Sequence, residues 1–404
     1  MSMRPLRNPR DPMARRKERH VPPGARSSAL HAMSARAAMG RFVLQSCARC
    51  ATTTYPPRDA CPRCWGPLDW TDQPRGAQLL SETTIRATTD LYFRDHLPWR
   101  MGKLQLDAGP VALAHLHADL KVGDRAEMRL VIDKGGNAAL FALPAGGSRD
   151  MEDRQWLEFV VPVKDRTILV SDARGAIGRA IVGALHAAGA RLVVAGMPPP
   201  ARTSDLADPL WALDGVQPVP LDLADPVSVS ECLSRIGGPL DIVVNSARFV
   251  RAGGLDGNSH LIDLRRAMDV SVTGFARLVQ ACAPMLAGRP SAAFVDILSV
   301  HALAPDAGFA GYSAVEAARH SLLQSFRHDM RATGVRVLSI LTGPTDDEDH
   351  QSIPPPKVPP GRIAQAVVTA LESGLEQSAV GDFAADALNR WTADPALYIR
   401  EKNL

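Results

Sequence analysis

The sequence of 404 residues predicts a multidomain protein: a small four-cysteine metal-binding unit, a small β-barrel, and an α/β domain with a doubly wound parallel sheet. Three observations predict this order. Two C-x-x-C pairs share one short window, segments of alternating apolar residues follow them, and after residue 165 short apolar strands alternate with amphipathic helices. With 46% hydrophobic and 22% charged residues, the chain can bury more than one core, which excludes a disordered or fibrous protein.

The N-terminal segment differs in composition from the rest of the chain. Residues 1–41 hold ten Arg and Lys against two acidic residues, although the net charge of the chain is only +3. We interpret residues 1–40 as a disordered basic leader. The alternatives are a nucleic-acid or membrane arm and a start codon assigned too early, with Met33 or Met39 as the true start. Because the sequence has no secretory signal and no uninterrupted apolar run of eighteen residues, we expect a cytoplasmic protein without a membrane span.

Residues 41–75 contain the strongest local signal, in which Cys47-Ala-Arg-Cys50 is followed after ten residues by Cys61-Pro-Arg-Cys64. Each pair presents two thiolates from a tight turn, and four thiolates complete a tetrahedral site for Zn²⁺. An iron site and a pair of disulfides are the alternatives, of which disulfides are disfavoured in a reducing cytoplasm. With four protein ligands and no open position, the zinc is expected to be structural.

Residues 76–145 are predicted to form a small β-barrel, because residues 78–85, 111–117 and 125–132 alternate like strands and are separated by Gly and Pro. Further features lie at characteristic places around these strands: Pro57-Arg58, Trp70, Leu97-Pro98-Trp99, Leu106-Asp107-Ala108-Gly109 and Val122-Gly123. With the cysteines, they make residues 41–145 resemble the acyl-CoA-associated family called domain of unknown function thirty-five, which joins a rubredoxin-like zinc ribbon to an OB-fold. The resemblance implies docking on a thiolase or thiolase-like aldolase subunit and a contribution to its acyl-CoA channel.

OB-folds also bind single-stranded nucleic acid by stacking bases on aromatic side chains. Here the candidates are Tyr92, Phe93, Trp99 and Phe141. We interpret them instead as core or partner-interface residues, and the acidic balance of the chain beyond its leader also argues against nucleic acid.

Residues 146–164 are interpreted as a linker, since Pro144-Ala-Gly-Gly-Ser148 is a loop signal. From residue 165 to the C-terminus, apolar strands and amphipathic helices alternate. A strand at 167–170, a glycine-containing turn and a helix predict the kind of crevice in which backbone N–H groups hold a pyrophosphate.

The residues at the strand ends of this domain resemble the short-chain dehydrogenase/reductase superfamily, which has a Rossmann fold. Ser299 follows the fifth strand, and Tyr312 lies thirteen residues later. The resemblance implies that Ser299 and Tyr312 occupy the catalytic Ser and Tyr positions. It also implies the following cofactor-contact positions: Ser171, Gly175, Ile177, Gly178, Asp222 and Asn245.

Several catalytic and cofactor-binding positions of that family are altered in this sequence. In the glycine turn, Asp172 adds a carboxylate and Ala176 a methyl group where the family has glycines, which argues against binding of NAD or NADP. Glu316 replaces the family Lys, and Ser271 replaces the family Asn. A carboxylate at position 316 disfavours tyrosinate, so we interpret Ser299 and Tyr312 as vestigial. Arg248, after the fourth strand, and Arg319 are the candidate substitute cations, effective only if one of them reaches the ribose.

The leading hypothesis is a non-catalytic accessory subunit of a thiolase-type acyl-CoA complex, with zinc as its structural metal. The altered α/β domain would supply a homo- or heterodimer face through the apolar stripe Val315, Leu322 and Phe326. The acidic run at 346–350 is interpreted as a solvated mobile loop. One alternative is an NAD(P)-dependent 3-hydroxyacyl-CoA dehydrogenase with an altered proton relay, and a weaker one is binding of single-stranded nucleic acid.

Overall fold

The computed structural model describes residues 21–24, 27–146, 152–199, 208–255 and 261–404. These residues form a three-stranded sheet, a closed five-stranded barrel and a seven-stranded parallel sheet, in that order along the chain. The predicted sequence of ribbon, small barrel and doubly wound α/β sheet is therefore confirmed.

The ribbon is a sheet in which β1 (Val43–Cys47) pairs antiparallel with β2 (Thr53–Thr54) on one side and β3 (Leu68–Asp72) on the other. Val43, which begins β1, is fully buried, and it belongs to the same apolar cluster as the barrel strands. The ribbon is thus anchored on the barrel by its central strand, while its cysteines lie at the far end of that strand.

The barrel follows directly. Its strands, joined by the short helix α2 (Leu91–Asp95) between the first two, are β4 (Gly76–Ile85), β5 (Trp99–Leu106), β6 (Val111–Leu116), β7 (Arg125–Ile132) and β8 (Ala138–Pro144). The barrel closes in the order β4-β5-β6-β8-β7, with β6 parallel to β8, and five is the strand number of an OB-fold. Trp99 and Phe141 are buried in the core, so they offer no surface for base stacking.

The predicted disordered leader is wrong for its last part. Helix α1 (Ser28–Ala37) begins at Ser27, whose side chain accepts a hydrogen bond from the N–H of Leu30. Met33 and Ala37 are 1% exposed and pack in the barrel cluster. Burial of these side chains supplies the tertiary stabilisation that a short isolated helix lacks. The predicted leader residues 1–20 and 25–26 lie outside the described residues.

The segment at 152–164 is packed and does not behave as a free linker. Trp156, Phe159 and Val160 are each at most 3% exposed and pack against Phe141 of the barrel. Val163 belongs to the core of the parallel sheet. The sequence interpretation of a linker failed because these apolar residues, spaced among polar ones, bury themselves between the two larger units.

The parallel sheet has seven strands, which are β9 (Thr167–Val170), β10 (Leu192–Met197), β11 (Val216–Pro220), β12 (Ile242–Asn245), β13 (Ala293–Ser299), β14 (Arg336–Thr342) and β15 (Gln377–Val380). They lie in the order β11-β10-β9-β12-β13-β14-β15. Strand β12 is therefore the middle strand, with β9 beside it. The strand order changes direction between β9 and β12, where open α/β sheets bind their ligands.

Helices cover both faces of this sheet. In chain order they are α3 (Ala176–Ala187), α4 (Pro226–Ile236), α5 (Leu261–Ala267), α6 (Gly274–Ala287), α7 (Ala310–Arg331), α8 (Pro360–Ser373), α9 (Asp382–Ala393) and α10 (Pro395–Lys402). The stretch Leu261–Ala287 is long and apolar enough, by length and composition, to cross a membrane. Its inner face packs on the sheet through Phe275, Leu278 and Cys282, as a core helix does. A cytoplasmic location stays a prediction.

The N-terminal units pack directly on the parallel sheet. The carbonyl oxygen of Ala38 accepts hydrogen bonds from the N–H groups of Glu376 and Gln377 at 2.9 and 3.0 Å, just before β15. Arg336 of β14 donates to the carbonyl oxygen of Glu158 at 2.8 Å. Residues of the N-terminal units therefore contact the β14–β15 side of the parallel sheet.

The predicted dimer stripe on α7 is wrong. Val315 and Phe326 are 0% and 5% exposed and belong to the protein's own core. The exposed face of α7 instead carries small residues, among them Ala314, Ala317 and Ser321. Because α7 covers one face of the parallel sheet, its stripe of larger apolar residues faces that sheet.

Candidate functional site

The four cysteines of the ribbon converge on one point. All four Sγ atoms lie within 4.8 Å of one another, with 3.5 Å between Cys47 and Cys64 and 3.6 Å between Cys50 and Cys61. A tetrahedron with bonds of about 2.3 Å places its sulfur atoms about 3.8 Å apart, so the cluster fits Zn²⁺. A disulfide needs a sulfur separation of about 2.05 Å, and these cysteines are free. The cluster is therefore a structural zinc site with no open position.

The two cysteine turns share one backbone geometry. The N–H groups of Ala51 and Trp65 donate to the carbonyl oxygens of Cys47 and Cys61, each at 2.9 Å, and both donors have positive φ, 55° and 60°. A Cβ added at Gly66 would lie 3.3 Å from the Sγ of Cys47. The turns therefore aim the thiolates inward, and the glycine leaves room for them.

The second candidate site is a cavity of about 520 Å³ at the carboxyl ends of the central parallel strands. Its walls include Ser171 after β9, Asp222 after β11 and Arg248 after β12. This is the place where open α/β sheets bind nucleotides. With Asp172, which also lines the cavity, the structure brings four of the residues singled out in the sequence around one cavity.

The turn that opens this cavity carries its own carboxylate. Asp172 accepts a hydrogen bond from the backbone N–H of Arg174 at 3.0 Å, and the Arg174 guanidinium lies 3.8 Å from the carboxylate. Burial raises the pKa of Asp172, and the charge of Arg174 opposes that shift only in part. Backbone N–H groups of such a turn hold the pyrophosphate in dinucleotide-binding sites. Because a carboxylate of the chain already uses one of them, the turn does not fit NAD or NADP well.

Of the other predicted cofactor-contact residues, some are packed inside the domain and one has open space beside it. An added Cβ at Gly178 would lie 1.9 Å from the carbonyl oxygen of Asp172, so this glycine is required for the helix to approach the turn. Gly175 precedes α3 and has open space at its Cβ position. Ile177 is 4% exposed and packs in the sheet core, so its side chain offers no contact to a ligand. Asp222 accepts from the N–H of Ala224 at 2.9 Å and shapes its own turn.

Ser299 and Tyr312 come together below this cavity, and they are 6% and 3% exposed. Burial raises the pKa of Tyr312, and the negative charge of Glu316 raises it further. Arg248, Arg319 and a hydrogen bond with Ser299 act in the opposite direction and do not cancel the rise. The phenol therefore stays protonated at physiological pH, so it is a weak acid at a position where the family needs a readily ionised tyrosine.

Glu316 is fully buried and has a buried partner. The Arg319 Nη2 atom lies 2.8 Å from Glu316 Oε1, and its Nε atom lies 3.4 Å from Asp296 Oδ2. Glu316 Oε2 accepts a hydrogen bond from the N–H of Ser299 at 2.7 Å. Burial raises the pKa of Asp296 to about 7. Arg319 therefore neutralises internal carboxylates and is not available to a ribose.

The same network extends toward the glycine turn. The Asn245 side chain donates to Asp296 Oδ1 at 2.7 Å, and the Ser171 hydroxyl donates to Asn245 Oδ1, also at 2.7 Å. Asn245 and Ser171 are each 1% exposed. These two predicted cofactor residues thus serve a buried polar row that ties the strand ends together.

Ser271 replaces the helix Asn of the family's proton relay. It lies in a π-helical segment, Met268–Thr273, and is 1% exposed. Its hydroxyl has no hydrogen-bond partner among the residues that the structure describes. A relay through this position is therefore not assembled.

The acidic run at 346–350, predicted as a solvated mobile loop, is solvated only in part: Asp346, Glu348 and Asp349 are exposed, whereas Asp347 is half-buried and His350 is buried. Arg248 Nη2 lies 2.5 Å from Asp347 Oδ2, and His350 Nδ1 lies 2.9 Å from Asp347 Oδ1. Although burial acts against ionisation of Asp347, these two partners and the Thr345 hydroxyl hold its pKa well below the usual range. Arg248 is consequently an internal ion-pair partner in the wall of the cavity, where it pairs with Asp347.

Two comparisons place the α/β domain. The model of the short chain dehydrogenase family matches residues 166–356. An uncharacterized oxidoreductase of Staphylococcus aureus (strain MW2) is 31% identical over 214 residues, which are 51% of this chain and 91% of that protein. A Staphylococcus epidermidis oxidoreductase is 31% identical over 216 residues and 92% of its length. This part of the chain belongs to the short-chain dehydrogenase/reductase family.

Solved structures agree on the fold. A short chain dehydrogenase from Burkholderia cenocepacia J2315 in complex with NADP has a TM-score of 0.54 and 28% identity, covering 59% of this chain and 98% of that one. A short-chain dehydrogenase from Streptomyces avermitilis has a TM-score of 0.51 and 25% identity, covering 59% and 96%. At the other end, the family model described as ChsH2, rubredoxin-like zinc ribbon domain, matches residues 35–70. The predicted family assignments at both ends of the chain are confirmed.

Sequence reasoning missed the partners that surround the altered positions. Asp296 is a charged residue inside an otherwise apolar strand, and Arg319 lies three residues after Glu316 on one helix face. Those two features were the available signal, because a buried charge needs a buried partner. The pairing of Arg248 with Asp347, which lies 99 residues away in the chain, had no local signal.

Proposed function

We propose that the chain is a non-catalytic accessory subunit of a thiolase-type complex that cleaves or forms carbon–carbon bonds in acyl-CoA substrates. The observation that carries this proposal is the buried network of Glu316, Arg319 and Asp296 beneath Tyr312. An active family member has a cation beside the Tyr. In this chain the carboxylate of Glu316 takes that position, and the buried Arg319 neutralises its charge. The domain then keeps its shape while the chemistry of the Tyr is lost.

The N-terminal half supports the partner assignment. The ribbon matches a domain described by the name ChsH2, and its rubredoxin-like form is joined here to a closed barrel. Its zinc site is closed and structural, so it serves folding and docking. We propose that the ribbon and barrel dock on a thiolase or thiolase-like aldolase subunit and help to admit acyl-CoA.

The α/β domain would act as a scaffold for a homo- or heterodimer. The exposed face of α7 carries small side chains such as Ala314 and Ala317, which allow close approach of another helix. Analytical ultracentrifugation of the wild-type chain and of Ala317→Arg tests this. We expect the variant to dissociate, whereas an unchanged sedimentation coefficient would exclude this face.

Turnover is the direct test of the proposal. The zinc-loaded chain, incubated with 3-hydroxybutyryl-CoA and with a longer 3-hydroxyacyl-CoA, should give no increase in absorbance at the nicotinamide wavelength with either NAD or NADP. An active dehydrogenase has a turnover number of about 1–1,000 per second. A rate in that range would refute the proposal. Identification of a thiolase-type subunit that co-purifies with the chain in its native cell would support the partner assignment.

The second candidate function is an NAD(P)-dependent 3-hydroxyacyl-CoA dehydrogenase. Two observations favour it: the Ser299 and Tyr312 side chains remain together, and the strand ends keep a cavity of about 520 Å³. A solved relative from Burkholderia cenocepacia was crystallised with NADP. In this case Tyr312→Phe should abolish turnover while leaving the folded protein intact, and unchanged turnover would exclude a catalytic Tyr312.

A further inference from the structure

A separate cavity of about 330 Å³ lies where the N-terminal segment, the ribbon and the barrel meet. It shares no lining residue with the cavity in the α/β domain. Its walls come from Pro22–Gly24, from Leu30 and Ser34 of α1, from Tyr55 of the ribbon, and from the barrel. It lies within the size range of small-molecule sites in proteins, which begins at about 300 Å³.

The N-terminal segment closes this cavity through defined contacts. The Asn137 side chain donates to the carbonyl oxygen of Pro23 at 3.3 Å, and the Ser34 hydroxyl accepts from the N–H of Ala138 at 2.9 Å. A Cβ added at Gly135 would lie 2.9 Å from the carbonyl oxygen of Pro22. The wall is therefore built against the turn between β7 and β8.

His115 contributes a hydrogen-bond donor to this cavity. The indole N–H of Trp99 donates to His115 Nδ1 at 2.8 Å, so the neutral ring carries its proton on Nε2. No hydrogen-bond partner for Nε2 is found among the described residues. Phe93 stacks on the imidazole at a centroid distance of 6.3 Å, and Phe159 lies 5.2 Å away. Burial lowers the pKa of His115 to about 4, so the ring stays neutral at physiological pH.

Tyr55 supplies a second donor. It lines the same cavity, and its hydroxyl has no hydrogen-bond partner in the described part of the chain. Burial raises the pKa of Tyr55, so the hydroxyl keeps its proton. The one acidic group in the lining is Asp133, which accepts from the N–H of Asn137 at 2.9 Å. Two neutral donors beside a carboxyl group favour a neutral acceptor over an anion.

The remaining wall is apolar, with Phe93, Met101, Leu113 and Leu140 among its members. Leu113 is 63% exposed, so it lies at the mouth of the cavity. A few polar groups in an otherwise apolar concave surface are typical of a site that fixes the orientation of a small ligand.

We propose that this cavity binds a neutral, mainly apolar carbonyl compound, such as a medium-chain ketone, ester or thioester, whose oxygen accepts hydrogen bonds from His115 and Tyr55. The acyl chain packs between Phe93, Met101 and Leu113. The carboxyl group of Asp133 disfavours fatty acid anions. This inference does not depend on the proposed accessory role, because it concerns the residues of the barrel and ribbon alone.

Calorimetric titration of the zinc-loaded full-length chain tests the proposal, with S-octanoyl-N-acetylcysteamine as the neutral probe and octanoate as the charged one of equal chain length. We expect saturable binding of the thioester and binding of octanoate at least tenfold weaker. Equal affinity for both probes, or no saturable binding of the thioester at millimolar concentration, would overturn the proposal.

Three variants locate the site. Leu113→Trp fills the mouth and should weaken thioester binding at least tenfold. Val111→Trp is the matched control, because Val111 lies two residues earlier on the same face of β6, is 41% exposed and lies outside the cavity lining. Tyr55→Phe removes one neutral hydrogen bond and should weaken binding about threefold to tenfold. Equal effects of the two Trp variants would place the ligand elsewhere.

Discussion

The cysteine turns of the ribbon and the strand ends of the α/β domain are built by opposite means. In the ribbon, four side chains within eighteen residues of sequence form the complete centre, and the backbone of each turn aims its own thiolates. In the α/β domain, the altered Glu316 is stabilised by Arg319, which also pairs with Asp296, and Asp296 lies twenty residues away on another element. A metal site made of local turns can be predicted from the sequence. A buried charge whose partner lies far away in the sequence can be identified only from the fold.

The two regions also differ in whether their motif residues indicate an activity or only a family. The four cysteines fit a closed, four-thiolate metal site, for which zinc is the structural metal that the ribbon family supports. Ser299 and Tyr312 keep the residue types of the family's catalytic positions, but the buried carboxylate of Glu316 and the internally paired Arg319 have changed their surroundings. Retained residues therefore identify the family, and their electrostatic environment determines the activity.

Removal of a zinc ligand should have the largest effect. Cys61→Ser leaves three thiolates, and because structural zinc contributes about 10–16 kcal/mol to small zinc units, the ribbon should lose both its metal and its fold. Metal analysis should give well below one zinc per chain. The matched control is Cys232→Ser, which changes a buried thiol of the α/β core and should retain one zinc. Zinc loss in both variants would show general unfolding instead.

Removal of the buried cation should be the next largest effect. Arg319→Met leaves Glu316 and Asp296 without their counter-charge, and loss of one partner of a buried ion pair costs about 3–5 kcal/mol. Urea unfolding of the variant should show a decrease of that size in the free energy of unfolding. Arg390→Met is the control, since its ion pairs are exposed and worth less than about 1 kcal/mol. Equal costs for the two variants would contradict the buried network.

The pH dependence of stability should report on Asp296. Burial raises its pKa to about 7, whereas an unfolded Asp has a pKa of about 3.9. Between about pH 4 and pH 7, the folded chain holds a proton that the unfolded chain has released, so stability falls as the pH rises through this window. The wild-type chain should lose about 2 kcal/mol more than Asp296→Asn between pH 5 and pH 7. Parallel stability profiles would show that Asp296 is ionised throughout.

Restoring the glycine of the turn should have the smallest effect of the four. Asp172→Gly frees the N–H of Arg174 and removes a negative charge from the phosphate position, so the affinity for NADPH should rise at least about tenfold, which is about 1.4 kcal/mol. Calorimetric titration should then detect NADPH binding to the variant at a concentration at which the wild-type chain shows none. Asp263→Asn is the control, because Asp263 lines the same cavity away from the turn. A gain of similar size in the control would indicate a general charge effect.

The sequence predicted the large features well because they depend on short-range patterns. The cysteine spacing, the alternating strands of the barrel and the βα order of the sheet each appear within a few tens of residues. Helix α1 escaped prediction because its stability comes from Met33 and Ala37 packing on a barrel that follows it in the chain. Strand β15 was missed because its four residues are polar or small and gain their pairing from β14.

The candidate site was predicted in its positions and incompletely in its chemistry. The sequence located Ser299, Tyr312 and Glu316, and the consequence of the Glu for the Tyr was correct in sign. It offered Arg248 and Arg319 as candidate cations for a ribose, and in the structure both pair with carboxylates of the chain. Charge partners distant in sequence have no periodic signal, so they required the fold.

A calorimetric titration of the zinc-loaded wild-type chain with NADH and with NADPH tests most directly whether the α/β domain has lost cofactor binding. We expect no binding of either cofactor up to millimolar concentration, because the Asp172 carboxylate occupies a backbone N–H of the phosphate-binding turn and because Arg248 and Arg319 are paired internally. Micromolar binding of either cofactor would contradict it and would make the dehydrogenase the leading function.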